Sequence, residues 1–300
     1  MGRSLNRGIL IDDFKKIANR VSIITIIENL VLALSKFLIG LYSHSSAVIS
    51  DAVHSASDVL STIVVMIGIR LSCKDSDKEH PYGHERLECI AALLLSFILF
   101  ITGVKIGFSA IVDILNNSYA IREGSSLLAL LITLISIVCK ESMFWYTRHY
   151  AKKLNSGALM ADAWHHRSDS LSSIGALLGV IGSMFGYPIM DSIASLIIFL
   201  FICKASYDIF KDAVDKLIDK SCDIGLEQDI CACVLSNSSV IGIDLIQTRI
   251  FGNKVYVDLE IQLDGNCSLR EAHSVAELVH NEIEEKFPSV KHIMVHTNPN

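Results

Sequence analysis

The chain alternates long apolar stretches with short polar ones and then changes character near residue 210. Apolar runs extend from about Val21 to Leu41, broken by Glu28 and Lys36, from Ser46 to Ser72, and from Leu87 to Leu115. Three more run from Ser125 to Tyr146, from Ala158 to Phe185 and from Ile189 to about Ile209. Each is long enough to cross about 30 Å of hydrocarbon as a helix rising 1.5 Å per residue. The pattern predicts an α-helical membrane domain of six transmembrane helices over residues 1–212. Residues 213–300 lack such runs. Leu226–Ser236 reads as a helix, and Ile241–Ile250 and Val255–Leu263 as strands joined at Gly252-Asn253. An amphipathic helix over Leu269–Phe287 and a strand over Val290–Val295 complete a small soluble α+β domain.

Composition supports this division. Of 300 residues, 51% are hydrophobic and 19% charged, against about 25% charged in an average soluble domain. These figures exclude a disordered or collagenous chain. A net charge of −6 and a pI near 6.0 argue against a nucleic-acid partner. The eight cysteines show no zinc-ribbon spacing and read as free thiols in a reducing compartment. The charged opening residues, Arg3 to Arg20, lack a signal-peptide pattern.

Charge also orients the spans. Arg3, Arg7, Lys15, Lys16, Arg20, Arg70, Lys74, Lys78, Arg86, Arg148, Lys152 and Lys153 fall on one side of a six-span topology. The opposite connections, 42–46, 116–124 and 186–188, hold only Arg122. The positive-inside rule predicts a multi-pass protein of the cytoplasmic membrane with both termini in the cytosol.

The second and fifth spans share a motif. Asp51-Ala52-Val53-His54-Ser55-Ala56-Ser57-Asp58 matches Asp162-Ala163-Trp164-His165-His166-Arg167-Ser168-Asp169 as D-A-x-H-x-x-S-D. The likeness continues at Ala47/Ala158, Leu60/Leu171, Ser61/Ser172 and Ile63/Ile174. The two spans run in opposite directions, so the motif forms an inverted repeat, the arrangement in which transporters hold substrate near the midplane. Asp58 lies about 18 Å into its span at 1.5 Å per residue, and Asp169 at a similar depth from the other side.

Within each span His and Asp are four residues apart and share a helix face. His54, Asp58, His165 and Asp169 together offer two imidazoles and two carboxylates, a set suited to zinc and other first-row divalent ions. Charge at mid-membrane is costly enough to mark function by default. One HxxxD alone is a weak signal, and a structural hydrogen-bond network between the spans is the plain alternative for the pair. Asp51 and Asp162 are accessory candidates, as vestibule carboxylates or as acceptors for the ligand imidazoles, with helix-end solvation the competing reading. Gly175, Gly179, Gly182 and Gly186 form a small-residue stripe suited to close helix approach.

Residues 46–72, the loop His80-Pro81-Tyr82-Gly83-His84, the fifth-span motif and the soluble tail together resemble the cation diffusion facilitator family of metal/proton antiporters. The resemblance covers nearly the whole chain. It implies a homodimer, six spans in the lipid bilayer and a ferredoxin-like cytosolic domain that dimerises and senses metal. It also implies a transport site at His54, Asp58, His165 and Asp169. His at 54 resembles zinc-preferring members, while related clades move manganese, iron, cadmium or cobalt. A loop site falls on Asp77, His80 and His84, with a solvated polar loop as the alternative. The family's cytosolic site, which would hold a regulatory metal, falls on Glu260, His273, His296 and Asn298, with His280 nearby. Glu260 stands where His is common and Asn298 where Asp is common, which weakens that site.

The expected activity is divalent cation efflux, zinc or manganese first, by exchange with protons and alternating access. Metal and protons compete because the ligands must be deprotonated to bind. No G-x-x-x-x-G-K-[ST] motif is present, which disfavours an ATP-driven pump. Two other classes compete: a metal-dependent membrane hydrolase, which needs an open coordination position and a base, and a membrane-anchored metal sensor.

Overall fold

Buried positions along the first 210 residues are disproportionately polar, and the exposed ones apolar. On the first helix Ser22, Thr25 and Asn29 are buried, whereas Ile27, Leu30, Val31 and Leu34 are exposed. The third helix buries Ala91, Ala92 and Ser96 and exposes Leu94, Phe97 and Ile101. A chain in water would bury these large side chains; one surrounded by hydrocarbon gains nothing by doing so.

The computed structural model describes residues 2–42, 46–116, 127–184 and 189–300. The chain divides into two compact units, Met1–Ala213 and Val214–Asn300. The first holds α1 (Gly2–Tyr42), α2 (Ser46–Ser72), α3 (Arg86–Asn116), α4 (Leu127–Leu154), α5 (Gly157–Met184) and most of α6 (Ile189–Leu217). The three outer connections read from the sequence, Arg122 included, lie almost wholly outside the described residues. By length and apolar composition alone, parts of α1, α2 and α3 qualify as spans among those residues. Helix α5 carries Asp162, Arg167 and Asp169 in its interior, which lowers its mean hydropathy.

Two helices outrun their apolar cores. Helix α1 begins at Gly2 because residues 2–20 contain no proline, so the polar leader continues the same helix. Helix α4 runs to Leu154, eight residues beyond the end of its apolar run at Tyr146. It ends in a Schellman motif. Asn155 takes a left-handed φ of 50°, its N–H donates to Lys152 O (3.3 Å), and Ser156 N–H donates to Ala151 O (2.9 Å). Ser156 Oγ then accepts from Leu159 N–H (3.2 Å) and caps α5. This two-residue turn sets α4 and α5 side by side and antiparallel.

Helix α2 packs on α1 and α3, and α5 on α4 and α3. Val65, Ile69, Leu95, Leu99, Leu159 and Ile202 lie in the shared core. Small residues bring the helices close. An added Cβ on Gly68 would fall 2.4 Å from Ala91 Cβ, and one on Gly107 2.6 Å from the Phe199 ring. Ser206 Oγ donates to the Ser96 carbonyl (2.6 Å), tying α6 to α3. Of the glycine stripe on α5, Gly175 meets Ile198 Cδ1, which an added Cβ would approach to 2.8 Å. Gly179, Gly182 and Gly186 lie outside the residues whose side-chain surroundings are described.

The second unit continues with α7 (Ile224–Leu235), β1 (Gly242–Phe251), β2 (Lys254–Leu263), α8 (Leu269–Lys286) and β3 (Val290–Pro299). Its strand order is β1-β2-β3, antiparallel then parallel. Gly252, with φ 64°, makes the hairpin turn. Helix α8 is the crossover between the parallel strands, and a capping box of Ser268 and Glu271 starts it. Val255, Val257, Leu259, Ile261 and Leu263 alternate along β2 into a core with Ile230, Ile283 and Ile293.

Candidate metal site

Helices α2, α4 and α5 each send ionisable side chains to one point inside the first unit. Asp58 and His54 come from successive turns of α2, and Asp169 and His165 from successive turns of α5. His54 Nε2 lies 3.5 Å from Asp169 Oδ1 and 4.0 Å from Asp58 Oδ1. His165 Nε2 lies 3.4 Å from Asp58 Oδ1. The ligand atoms of His54, Asp58 and Asp169 fall within 4.8 Å of one another. His165 stands outside that closest grouping and touches it through Asp58. Asp58 is 2% exposed and His54 55% exposed, so the carboxylates are enclosed and His54 stands at the open side.

Sequence reasoning missed one member of the site. Lys140, 4% exposed, reaches in from α4 and places Nζ 2.5 Å from Asp58 Oδ2 and 3.0 Å from Asp169 Oδ2. An ammonium thus bridges the two carboxylates through their Oδ2 atoms. The signal was present, because Lys140 is a charge in the middle of an apolar run, the feature that singled out the aspartates. Its neighbour Glu141 holds α4 to α5. Glu141 accepts from Ser170 Oγ (3.0 Å) and pairs with Arg167 (3.6 Å), whose guanidinium covers the Phe144 ring at 4.3 Å.

The accessory aspartates have partners of their own. Asp51 pairs with buried Lys36 (2.8 Å), which also donates to Ser55 Oγ (2.9 Å). Asp162 accepts from Thr62 Oγ1 (3.0 Å) and lies 3.6 Å from His166 Nε2. Among the described contacts, neither carboxylate accepts from His54 or His165.

A second group of ligand atoms within 4.8 Å comprises Asp77, His80 and His84 in the α2–α3 loop. Asp77 organises this loop. Its Oδ1 accepts from the backbone N–H groups of Glu79 (3.1 Å) and His80 (2.8 Å). The Lys74 ammonium on Oδ2, then the His80 N–H, hold its carboxyl well below the usual carboxylate range. His84 Nδ1 lies 3.1 Å from the Asp75 carbonyl, which can only accept. Nδ1 therefore donates in that contact, and Nε2 faces Asp77 Oδ2 at 3.5 Å. Gly83, with φ 101°, closes the turn that brings His80 and His84 together, ring centroids 4.5 Å apart.

The tail residues do not converge in the same way. Glu260 and His296 are register partners on β2 and β3. Asn298 Nδ2 donates to Glu260 (3.1 Å) and to Asp244 (2.9 Å). His273 stands on the exposed side of α8 beside Glu277 (3.8 Å), and His280 pairs with Glu284 (3.4 Å). Among the described residues these side chains form no grouping of three ligand atoms within 4.8 Å.

Helices with apolar exteriors and polar, carboxylate-bearing interiors make the first unit a membrane domain. The cation efflux transmembrane domain matches residues 22–218, and the cation efflux protein cytoplasmic domain matches residues 225–300. The chain belongs to the cation diffusion facilitator family, and it is a multi-pass membrane transporter for divalent metal efflux, not an enzyme. It is 34% identical over 292 residues to the manganese efflux system protein MneP of Bacillus subtilis (95% of this chain, 97% of that one). It is 31% identical over 291 residues to MneS, a manganese efflux system protein of the same organism (96% and 97%). Metal tolerance protein 2 of rice is 33% identical over 302 residues (93% and 78%).

Proposed function

We propose that the chain exports a divalent metal ion from the cytosol in exchange for protons, using His54, Asp58, His165 and Asp169 as the transport site. The observation that carries this reading is the meeting of α2 and α5 carboxylates and imidazoles in an enclosed pocket. Carboxylate and imidazole together accommodate manganese and zinc. Manganese is the first choice, because MneP and MneS are named for manganese efflux. Metal needs these ligands deprotonated, so protons arriving from the far side displace it. The twelve basic residues on one side support cytosolic termini, and we take the membrane to be the cell membrane. The soluble unit pairs two copies into a homodimer, following the family to which it belongs.

The test is flux through the purified chain in liposomes carrying a trapped pH dye, with manganese, zinc, cobalt, cadmium and ferrous iron supplied one at a time. Manganese or zinc is expected to move with protons running the opposite way. Metal flux without proton movement refutes the exchange. No flux of any of the five under an imposed pH gradient refutes the transport reading.

Asp77, His80 and His84 form a second, weaker metal site on the cytosolic loop in this reading, supported by the approach of their ligand atoms to within 4.8 Å of one another. His84→Ala is expected to lower the metal bound per chain by one ion while transport-site binding persists. Metal content after dialysis measures this, and unchanged content removes the loop site.

A further inference from the structure

The pocket holds a cation of its own. Asp58 and Asp169 contribute two negative charges from two helices, and Lys140 Nζ lies between their Oδ2 atoms at 2.5 and 3.0 Å. The ammonium takes a position from which both carboxylates are reached at once, and Lys140 is 4% exposed. The imidazoles of His54 and His165 approach the Oδ1 atoms, so a divalent ion held by the four ligands shares the same two carboxylates with the ammonium on their Oδ2 atoms. The geometry points to Lys140 as a tethered counter-cation that offsets the charge of both carboxylates when cargo is absent and competes with metal for them when it binds. This inference rests on the proposed transport site.

The physical reason lies in the return of the empty carrier. An enclosed pocket with two adjacent carboxylates and no counter-charge is strongly disfavoured, because burial removes their solvent and leaves their repulsion unscreened. A transporter that resets without metal offsets this repulsion with the protons it returns and with any fixed positive charge in the site. Lys140 reduces the net charge of the carboxylate pair from −2 to −1 and supplies hydrogen bonds to both. The same contact opposes metal entry, so it weakens affinity and hastens release. Lys140 is therefore a positioning residue that sets the balance between binding and turnover. Lys36, buried against Asp51 at 2.8 Å, neutralises only its own partner and leaves this role to Lys140.

The experiment measures manganese and zinc binding by calorimetry, and flux in liposomes, for the full-length wild type and for Lys140→Gln, Lys140→Arg and Asp169→Ala. Lys140→Gln is expected to tighten metal binding about tenfold or more, a modest factor for a charge at this distance in a protein interior. Its KM falls along with its maximal rate, because release and reset both slow. Lys140→Arg keeps the charge and grips both carboxylates with a planar fork, so it binds metal no more tightly than wild type. A Lys that merely braced the helices would give the opposite result for Gln, weaker binding and a raised KM, and that outcome overturns the inference. So does a Gln variant with wild-type affinity. Where Lys140→Gln does not fold, as judged by gel filtration, Lys140→Arg decides: tighter binding than wild type overturns the inference. If Asp169→Ala leaves metal affinity unchanged, the transport site itself is misassigned; if it abolishes binding and Lys140→Gln changes nothing, only the role of Lys140 falls.

Discussion

Asp169→Ala is expected to lower metal flux through the reconstituted protein by about a hundredfold or more, at the upper end of what removing even an outer support of a metal ligand costs. Two effects combine. The substitution deletes a carboxylate that lies within ligand distance of His54 and Asp58. It also leaves Lys140 paired with Asp58 alone. The one remaining carboxylate is then matched by the ammonium, so the site attracts a divalent cation far less strongly. Asp169→Asn keeps an oxygen acceptor without the charge, so its flux should lie between those of wild type and the Ala variant. Radiotracer or dye-based uptake into liposomes measures both. Wild-type flux from Asp169→Ala would remove the four-residue assignment.

The second large effect is on the scaffold. A Cβ on Gly68 would sit 2.4 Å from the Cβ of Ala91 and 3.8 Å from the Leu87 carbonyl oxygen. Two carbons normally stand about 3.5–4.0 Å apart. Ala91 has no flexible end to move aside, so α2 and α3 must separate. Gly68→Ala is expected to destabilise the folded protein by about 1–3 kcal/mol, and Gly68→Leu by more. The same helix carries His54 and Asp58, so a displaced α2 also disturbs the site. Thermal unfolding in detergent reads the loss. Ala91→Gly in the same chain is expected to recover most of it, because it deletes the atom that clashes. Simple additivity of the two substitutions would show that this contact does not limit helix approach.

The reading of the first 210 residues succeeded where hydrophobic length decides. The Ser46–Ser72 limits coincide with α2, and the third span differs from α3 by one residue at each end. Backbone amides in hydrocarbon must bond within their own helix, so a run of apolar residues leaves little choice of structure. The reading fell short where polar residues continue a helix. Residues 147–154 complete α4, and the end comes only at Asn155, whose left-handed conformation and Schellman bonds carry no hydropathy signal. The turn at Gly252 was legible because the chemistry of a hairpin turn is local.

The repeated D-A-x-H-x-x-S-D motif fixed which residues were candidates, because residues four apart on a helix share a face whatever the helix packs against. Spacing also placed Asp77, His80 and His84 within reach of one another. Which faces meet is a property of packing, and only the tertiary structure decided it. It brought Asp58 and Asp169 together across two helices. It gave Asp51 to Lys36 and Asp162 to Thr62 and His166, and left Glu260, His273 and His296 apart from any common grouping. It also added Lys140, which lies 82 positions from Asp58 and 29 from Asp169 and shares no motif with either. Spacing along one helix records its own periodicity; a charge supplied by another helix depends on which helix packs beside it, which no local pattern encodes.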